Sequence, residues 1–287
     1  MATLADRISA DLELVSDLPS PSPVLAKLSA TLGSADVELS EIEEIISQDP
    51  VVAGRVIHAA NAAAYAAHSP TTSIHNALLR LGVVRVRRLA LLAALHNALP
   101  PRGLPAAFWP HSLAAASCAE VITRSVLARQ PGADPDAVFL AALLHDLGLL
   151  VLASHYPREY EALHEARARE DRPLDEVEDS VLGIDHGAIG ERLASHWLLP
   201  RPVCAAIRAH HRLGTVEPEH RCNALIVHLA DALCHHAGIA EMGEAVVLPP
   251  DDPALTELGI DADMLAVLVA EARLEAERAA QGLRFDS

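Results

Sequence analysis

The chain has 287 residues, 22 Lys+Arg against 39 Asp+Glu for a formal net charge of -17, 51% hydrophobic residues, 3% aromatics and 16 histidines. That length buries a large core, as one sizeable domain or two small ones packed together, and the apolar fraction excludes disorder. So negative a charge argues against non-specific binding to nucleic acid or an anionic membrane, because either needs a basic face to neutralise phosphates.

Apolar positions recur at three and four residues almost throughout, and Ala and Leu dominate over β-branched and aromatic residues, so the expected class is all-α. The N-terminal residues MATLADRISADLELV carry Asp6, Asp11 and Glu13 where a signal peptide needs a basic start and an unbroken apolar run. Ser22 before Pro23 opens a first helix that Gly33 closes, and Ser40 with Glu43 reads as a capping box. Gln48, Asp49 and Asn61 flank helix ends as polar caps, and Ser73 opens a helix that Gly82 stops. The run Arg80, Arg85, Arg87 and Arg88 concentrates basic charge in an acidic chain, as a solvated helix face or a docking surface for an acidic partner. Pro100, Pro101, Gly103, Pro105 and Pro110 then break the chain, since consecutive prolines cannot continue a helix.

Beyond that break, Asp134-Pro135 opens an apolar helix expected to end near Ser154. Its most apolar part, Ala137 to Ala153, is interrupted by His145 and Asp146 and falls short of the ~18 uncharged residues of a spanning helix. The expectation is a cytoplasmic protein. Asp185 caps a helix over His186 to Trp197, Pro200 starts the next, and Leu248 to Pro253 precedes a last acidic segment reaching about Gln281. The expected organisation is an N-terminal helical lobe over 1–100, a second helical lobe over 101–240 and a C-terminal helical extension over 241–287. Cys118, Cys204, Cys222 and Cys234 show no CxxC spacing and read as small apolar core residues.

One subset of the histidines stands apart, each member beside another potential ligand or at a helix start: His111, the pairs His145-Asp146 and His210-His211, and His186, together with Asp231. Imidazole and carboxylate suit Zn, Fe, Mn or Ni, and adjacent residues on a helix diverge by about 100°, so a His-Asp pair can straddle one ion. The flanking residues Val138 through Leu152 are almost all apolar, and burying an unpaired carboxylate there costs several kcal/mol. Either a metal or hydrogen bonds to neighbouring helices would meet that cost, and His210-His211 alternatively caps a helix end before Gly214. Among the other histidines, His228 shares a helical face with Asp231, while His235 and His236 suit the negative end of a helix dipole.

From about Leu14 to Ala237 the chain resembles the bacterial HDOD domain. The matches are Leu18-Pro19 with Pro23, Gln48-Asp49-Pro50, Ala59-Ala60-Asn61-Ala62, Ser73-Ile74, Leu81-Gly82, then Trp109-Pro110-His111-Ser112, Leu143-Leu144-His145-Asp146-Leu147-Gly148, Asp185-His186 with Gly190, Trp197-Leu198-Leu199-Pro200 and His210-His211. The resemblance implies two helical lobes, the second a bundle like that of the HD metal-dependent phosphohydrolases. It also implies a regulatory, signal-transduction role without an established enzymatic activity. Carried over residue by residue, it makes His111, His145, Asp146 and Asp231 a four-ligand set. His186, His210 and His211 become the additional ligands of the related HD-GYP class, so one or two divalent transition-metal ions are expected.

Three positions depart from HD-GYP: Leu149 replaces a lysine, Arg212-Leu213-Gly214-Thr215-Val216 carries no GYP, and Ala107 stands at an acidic ligand position. These count against cyclic di-GMP hydrolysis. The expectation is therefore a regulatory module meeting signalling proteins or domains in trans. The alternative is a metal-dependent phosphohydrolase or phosphodiesterase in which Asp146 holds the attacking water, with a small phosphorylated ligand drawn by Arg208 and Arg212. The sequence leaves the oligomeric state open.

Overall fold

A computed structural model describes residues 21–31, 37–61, 70–170, 172–240 and 248–282. Gly33, at the expected end of the first helix, lies outside them. Every regular element among the described residues is helical.

Among the described residues the first five helices are α1 (Pro23–Ala30), α2 (Leu39–Ser47), α3 (Pro50–Ala60), α4 (Ile74–Leu81) and α5 (Val83–Ala98). Local chemistry sets most of their starts. Ser22 Oγ accepts from Leu25 N at 3.1 Å, Asp49 Oδ1 from Val51 and Val52 N at 2.9 and 3.1 Å, and Ser73 Oγ from Asn76 N at 3.2 Å. Gly82, at φ 82°, ends α4 in backbone that a side chain would strain. The expected Ser40–Glu43 box does not form: α2 starts earlier, at Leu39, and Ser40 Oγ donates to Glu38 at 3.2 Å. Asn61 clasps Thr71 by both its amide nitrogen and oxygen, each at 2.8 Å, so it closes the loop after α3 as well as ending the helix.

The remaining helices are α6 (Phe108–Val126), α7 (Pro135–Leu144), α8 (Leu147–His155), α9 (Pro157–Arg169), α10 (Leu174–Leu182), α11 (His186–His196), α12 (Arg201–Ala209), α13 (Arg221–Ala237), α14 (Pro253–Leu258) and α15 (Ala262–Gly282). The proline cluster lies in the connection between α5 and α6. The apolar run after Asp134 is two helices, not one: the chain turns at His145–Asp146, with Asp146 at φ −91°, ψ 12°. By length and composition Pro135–His155 is apolar enough to cross a membrane, with an 18-residue window of mean hydropathy 2.1, but 94% of that window is buried inside the fold. It is spent on the core.

α6 is the central support, with α7, α13 and α15 packed along it, while α11 sits between α8 and α12. Glycine makes that second packing possible. A Cβ on Gly148 would lie 2.0 Å from the His186 carbonyl oxygen, and one on Gly190 would lie 3.0 Å from the Ile207 side chain. The α8, α11 and α12 backbones therefore approach more closely than side chains would permit.

Three arginines of the basic run, Arg80, Arg87 and Arg88, are drawn into the fold rather than forming a solvated face, while Arg85 is exposed. Arg87 is 3% exposed, donates to the Thr31 carbonyl at 2.9 Å and pairs with Asp136 at the start of α7. Arg88 pairs with Glu120 at 2.6 Å and lies 4.3 Å over the Phe139 ring. Arg80 donates to the Ala60 carbonyl and to Asn61. These cations bind the N-terminal helices to one another and to α6 and α7. All four cysteines are free, and Cys118 and Cys234 meet in the core with their sulfurs 3.4 Å apart.

Candidate metal centre

The singled-out residues come from separate helices, all but Asp231 from near their ends, and converge on one buried spot. His111 lies in the first turn of α6, His145 and Asp146 form the turn between α7 and α8, and His186 begins α11. His210 and His211 follow α12, and Asp231 sits in the middle of α13. His111, His145, Asp146, His186, His210 and Asp231 are buried, while His211 faces solvent at the rim. Asp146 occupies the sparsely allowed bridge region of backbone space, where many active-site residues sit.

Asp146 stands between two groups of imidazoles. Its Oδ2 lies 3.1 Å from His145 Nε2 and 3.8 Å from His111 Nε2, while its Oδ1 lies 3.4 Å from His186 Nε2 and 4.0 Å from His210 Nε2. On the far side of the first group, Asp231 Oδ1 lies 3.2 Å from His111 Nε2 and 3.6 Å from His145 Nε2. Donor atoms of Asp146, His186, His210 and His211 fall within 4.8 Å of one another, as do those of His111, His145 and Asp146.

The outer hydrogen bonds fix which nitrogen points inward. His145 Nδ1 is 2.8 Å from the Ala142 carbonyl and His210 Nδ1 is 2.7 Å from the Ile207 carbonyl, so each must carry its proton there to satisfy the acceptor. His186 Nδ1 faces the wholly buried Glu178 carboxylate at 2.7 Å. The Nε2 lone pairs of His145, His186 and His210 are thereby turned inward, with Nε2 atoms 3.3 Å apart for His111 and His145 and 3.1 Å apart for His186 and His210. Facing lone pairs repel unless a proton or metal cation lies between them, and an outer acceptor at Nδ1 is the usual support of a ligating histidine. Asp231 Oδ1 and His111 Nδ1, both buried, make no aligned hydrogen bond. The donor set and its orphaned atoms fit a transition-metal ion.

Protons partly fill that role in the polypeptide alone. Burial opposes charge on His145, yet Asp146 and then Asp231 hold its pKa well above the ordinary value. Burial likewise opposes charge on His186, but Glu178 and Asp146 lift it to about 9. His210 goes the other way, pushed well down by burial and by His211, His186 and His145. His211 is lowered to about 4 by desolvation where its ring enters the cluster and by charge on His186, with water at its exposed rim tempering the first effect. Both aspartates resist the upward push of burial: Asp146 is held below the usual carboxylate range by His145, and Asp231 by the imidazoles of His111 and His145 close against it.

Arg208 and Arg212 do not form a free cationic patch. Arg208 reaches Asp185 at 3.3 Å and Glu191 at 3.9 Å, while Arg212 reaches Asp175 at 3.1 Å, Asp185 at 3.2 Å and Asp179 at 2.5 Å. They brace α10 and the start of α11. His228 is an outer residue, with Nδ1 2.6 Å from the His210 carbonyl and Nε2 3.1 Å from Asp252.

Two residues of the site escape the sequence reading. Glu178, eight positions before His186, accepts from both the backbone and ring nitrogens of that histidine. His235 faces inward, its Nε2 3.3 Å from Asp231 Oδ1. The signal for His235 is its place one turn beyond Asp231; for Glu178 no local signal separates it from the other acidic residues of α10.

The HDOD domain model matches residues 18–213. Among solved structures, an HDOD domain protein of unknown function from Geobacter sulfurreducens is 25% identical over 97% of this chain and 96% of its own, with a TM-score of 0.81. A protein described as a candidate signal transduction protein from Marinobacter aquaeolei is 24% identical, covers 97% of this chain and 60% of its own, and has a TM-score of 0.79, which speaks to the fold alone. An uncharacterised Treponema pallidum protein is 26% identical over 221 residues, 77% of this chain, and the match spans 41% of that relative's length.

Proposed function

Since the chain belongs to the HDOD domain family, we propose that it is a signal-transduction module whose His/Asp cluster holds one or two divalent transition-metal ions and which acts through contacts with signalling proteins. One observation carries the metal: four Nε2 atoms point inward around Asp146, three of them fixed there by outer acceptors at Nδ1. One position would be held by His111, His145, Asp146 and Asp231, the other by Asp146, His186, His210 and His211. Among Fe, Mn, Zn and Ni, the imidazole and carboxylate donors suit each. The regulatory reading is favoured over turnover by the arginines, since Arg208 and Arg212 are already committed to carboxylates and give an acidic rim little pull on a phosphate.

The second reading is phosphoester hydrolysis, favoured by the placement of one carboxylate between two donor groups. A bound ion would lower the pKa of a water and neutralise charge on phosphoryl oxygens. Asp146 would hold that water, and the small phosphorylated ligand would enter past His211.

Elemental analysis of protein purified without added metal tests the proposal: one or two equivalents of a transition metal are expected, and less than about a tenth of an equivalent sinks both readings. A generic phosphodiester, assayed with the wild type and an His145→Ala/Asp146→Ala double variant, separates module from enzyme. Turnover lost in the double variant would overturn the purely regulatory role.

A further inference from the structure

The geometry points to His235 as a further ligand, the fifth protein donor to the ion that His111, His145, Asp146 and Asp231 would hold. This inference rests on the metal reading above and deepens it. His235 and His236 are neighbours at the C-terminal end of α13, and the structure separates their roles. His236 is exposed, and its Nδ1 accepts from Leu248 N at 3.4 Å. His235 turns inward with a side chain 8% exposed, its ring centroid 5.0 Å from that of His111 and tilted 41° to it. Its Nε2 lies 3.3 Å from Asp231 Oδ1, a carboxylate oxygen that makes no aligned hydrogen bond. Donor atoms of His111, Asp231 and His235 all fall within 4.8 Å of one another.

The spacing between donors fits a shared ion. Two ligands at neighbouring positions of a first-row ion, each ~2.1 Å from it, are separated by about 3.0 to 3.4 Å. His235 to Asp231, His111 to Asp231 and His111 to His145, at 3.3, 3.2 and 3.3 Å, fall in that band. A ring nitrogen has one lone pair and serves one ion, so the ion reached by His111 Nε2 is the one that Asp231 and His235 also reach. Three imidazoles and two carboxylates exceed the four donors of tetrahedral zinc. This position accordingly takes an ion that accepts five or six ligands, iron(II) or manganese(II) before zinc.

The test uses cobalt(II), whose visible absorption intensifies as its coordination number falls to four. The metal-free 287-residue chain is titrated with cobalt(II), alongside His235→Ala, His235→Gln and His236→Ala. The expected result is weak absorption in the wild type, with stronger absorption and about ten-fold or more loss of affinity in both His235 variants, and no change in His236→Ala. The glutamine variant and circular dichroism guard against an alanine variant that does not fold. Weakened affinity with an unchanged spectrum would mean that His235 only orients Asp231, and would overturn the inference. So would an unchanged affinity. A wild type that takes up no cobalt would overturn the metal reading itself, whereas normal uptake with silent His235 variants would overturn this ligand alone.

Discussion

Replacing Gly148 by Ala adds one methyl group where two backbones meet. The new Cβ would sit 2.0 Å from the His186 carbonyl oxygen, 2.7 Å from its carbon and 2.9 Å from its Cα, against the 3.4 Å at which ordinary contact begins. The shortfall at the oxygen is 3.4 − 2.0, or about 1.4 Å, and no rotamer relieves it because every atom struck is main chain. α8 and the first turn of α11 must separate, carrying Asp146 away from His186, whose donors now stand 3.4 Å apart. Overpacking costs ~1–3 kcal/mol and alanine's better helix propensity returns at most ~1 kcal/mol, so with backbone on both sides a net loss of about 2 kcal/mol is expected. Gly54→Ala is the matched control: it too is helical, its Cβ would meet nothing within 4 Å, and it should gain ~0.5–1 kcal/mol. Urea unfolding of the metal-free proteins measures both, and elemental analysis reads the site. A Gly148→Ala protein as stable as the wild type, with undiminished metal content, would refute the reasoning.

Metal uptake near pH 7 should expel about two protons, because His145 and His186 have raised pKa values in the protein alone and ligate only when neutral. Affinity should therefore climb with pH toward about 9, and calorimetry in buffers of different ionisation enthalpy counts the protons. Arg87→Met should cost about 2 kcal/mol by taking the buried guanidinium from the Thr31 carbonyl and from Asp136, which keeps Arg88 at 4.0 Å, and Asp136→Leu added to it should recover part of the loss, as unfolding of both variants would reveal. His228 and Asp252 make a pH-dependent brace. The raised His228 pKa gives stability present below its ordinary 6.5 and lost as pH rises through the folded value. The depressed Asp252 pKa gives stability present above 3.8 and lost as pH falls through its folded value. The wild type's advantage over His228→Gln should thus be greatest between about pH 4 and 6.5 and fade on either side.

Much of this organisation is written locally. Ser22, Asp49, Ser73, Asp134 and Asp185 each cap a helix with their own side chain, so neighbouring residues suffice to place those starts. The turn at His145–Asp146 is not legible that way: it uses neither glycine nor proline, and its apolar flanks, buried all round, carry no periodic signal. The arginine run misled for a related reason. Charge in sequence says nothing about partners supplied by other helices, and Asp136 is forty-nine residues from Arg87. Ligand types next to one another, as in His145-Asp146 and His210-His211, drew attention to the site. Glu178 and His235 were missed because their roles depend on how α10 and α13 are turned toward it, which only packing fixes.

The buried contact between Arg87 and Asp136 also ties the N-terminal helices to the helix that leads into the site. Asp136 lies in the first turn of α7, and the far end of that ten-residue helix runs directly into His145 and Asp146. At 1.5 Å per residue α7 is a rod about 15 Å long, gripped at one end by the N-terminal helices and bearing the central carboxylate at the other. Through Arg87, the Thr31 carbonyl at the end of α1 and the backbone of α5 are therefore joined to Asp146 by one uninterrupted helix.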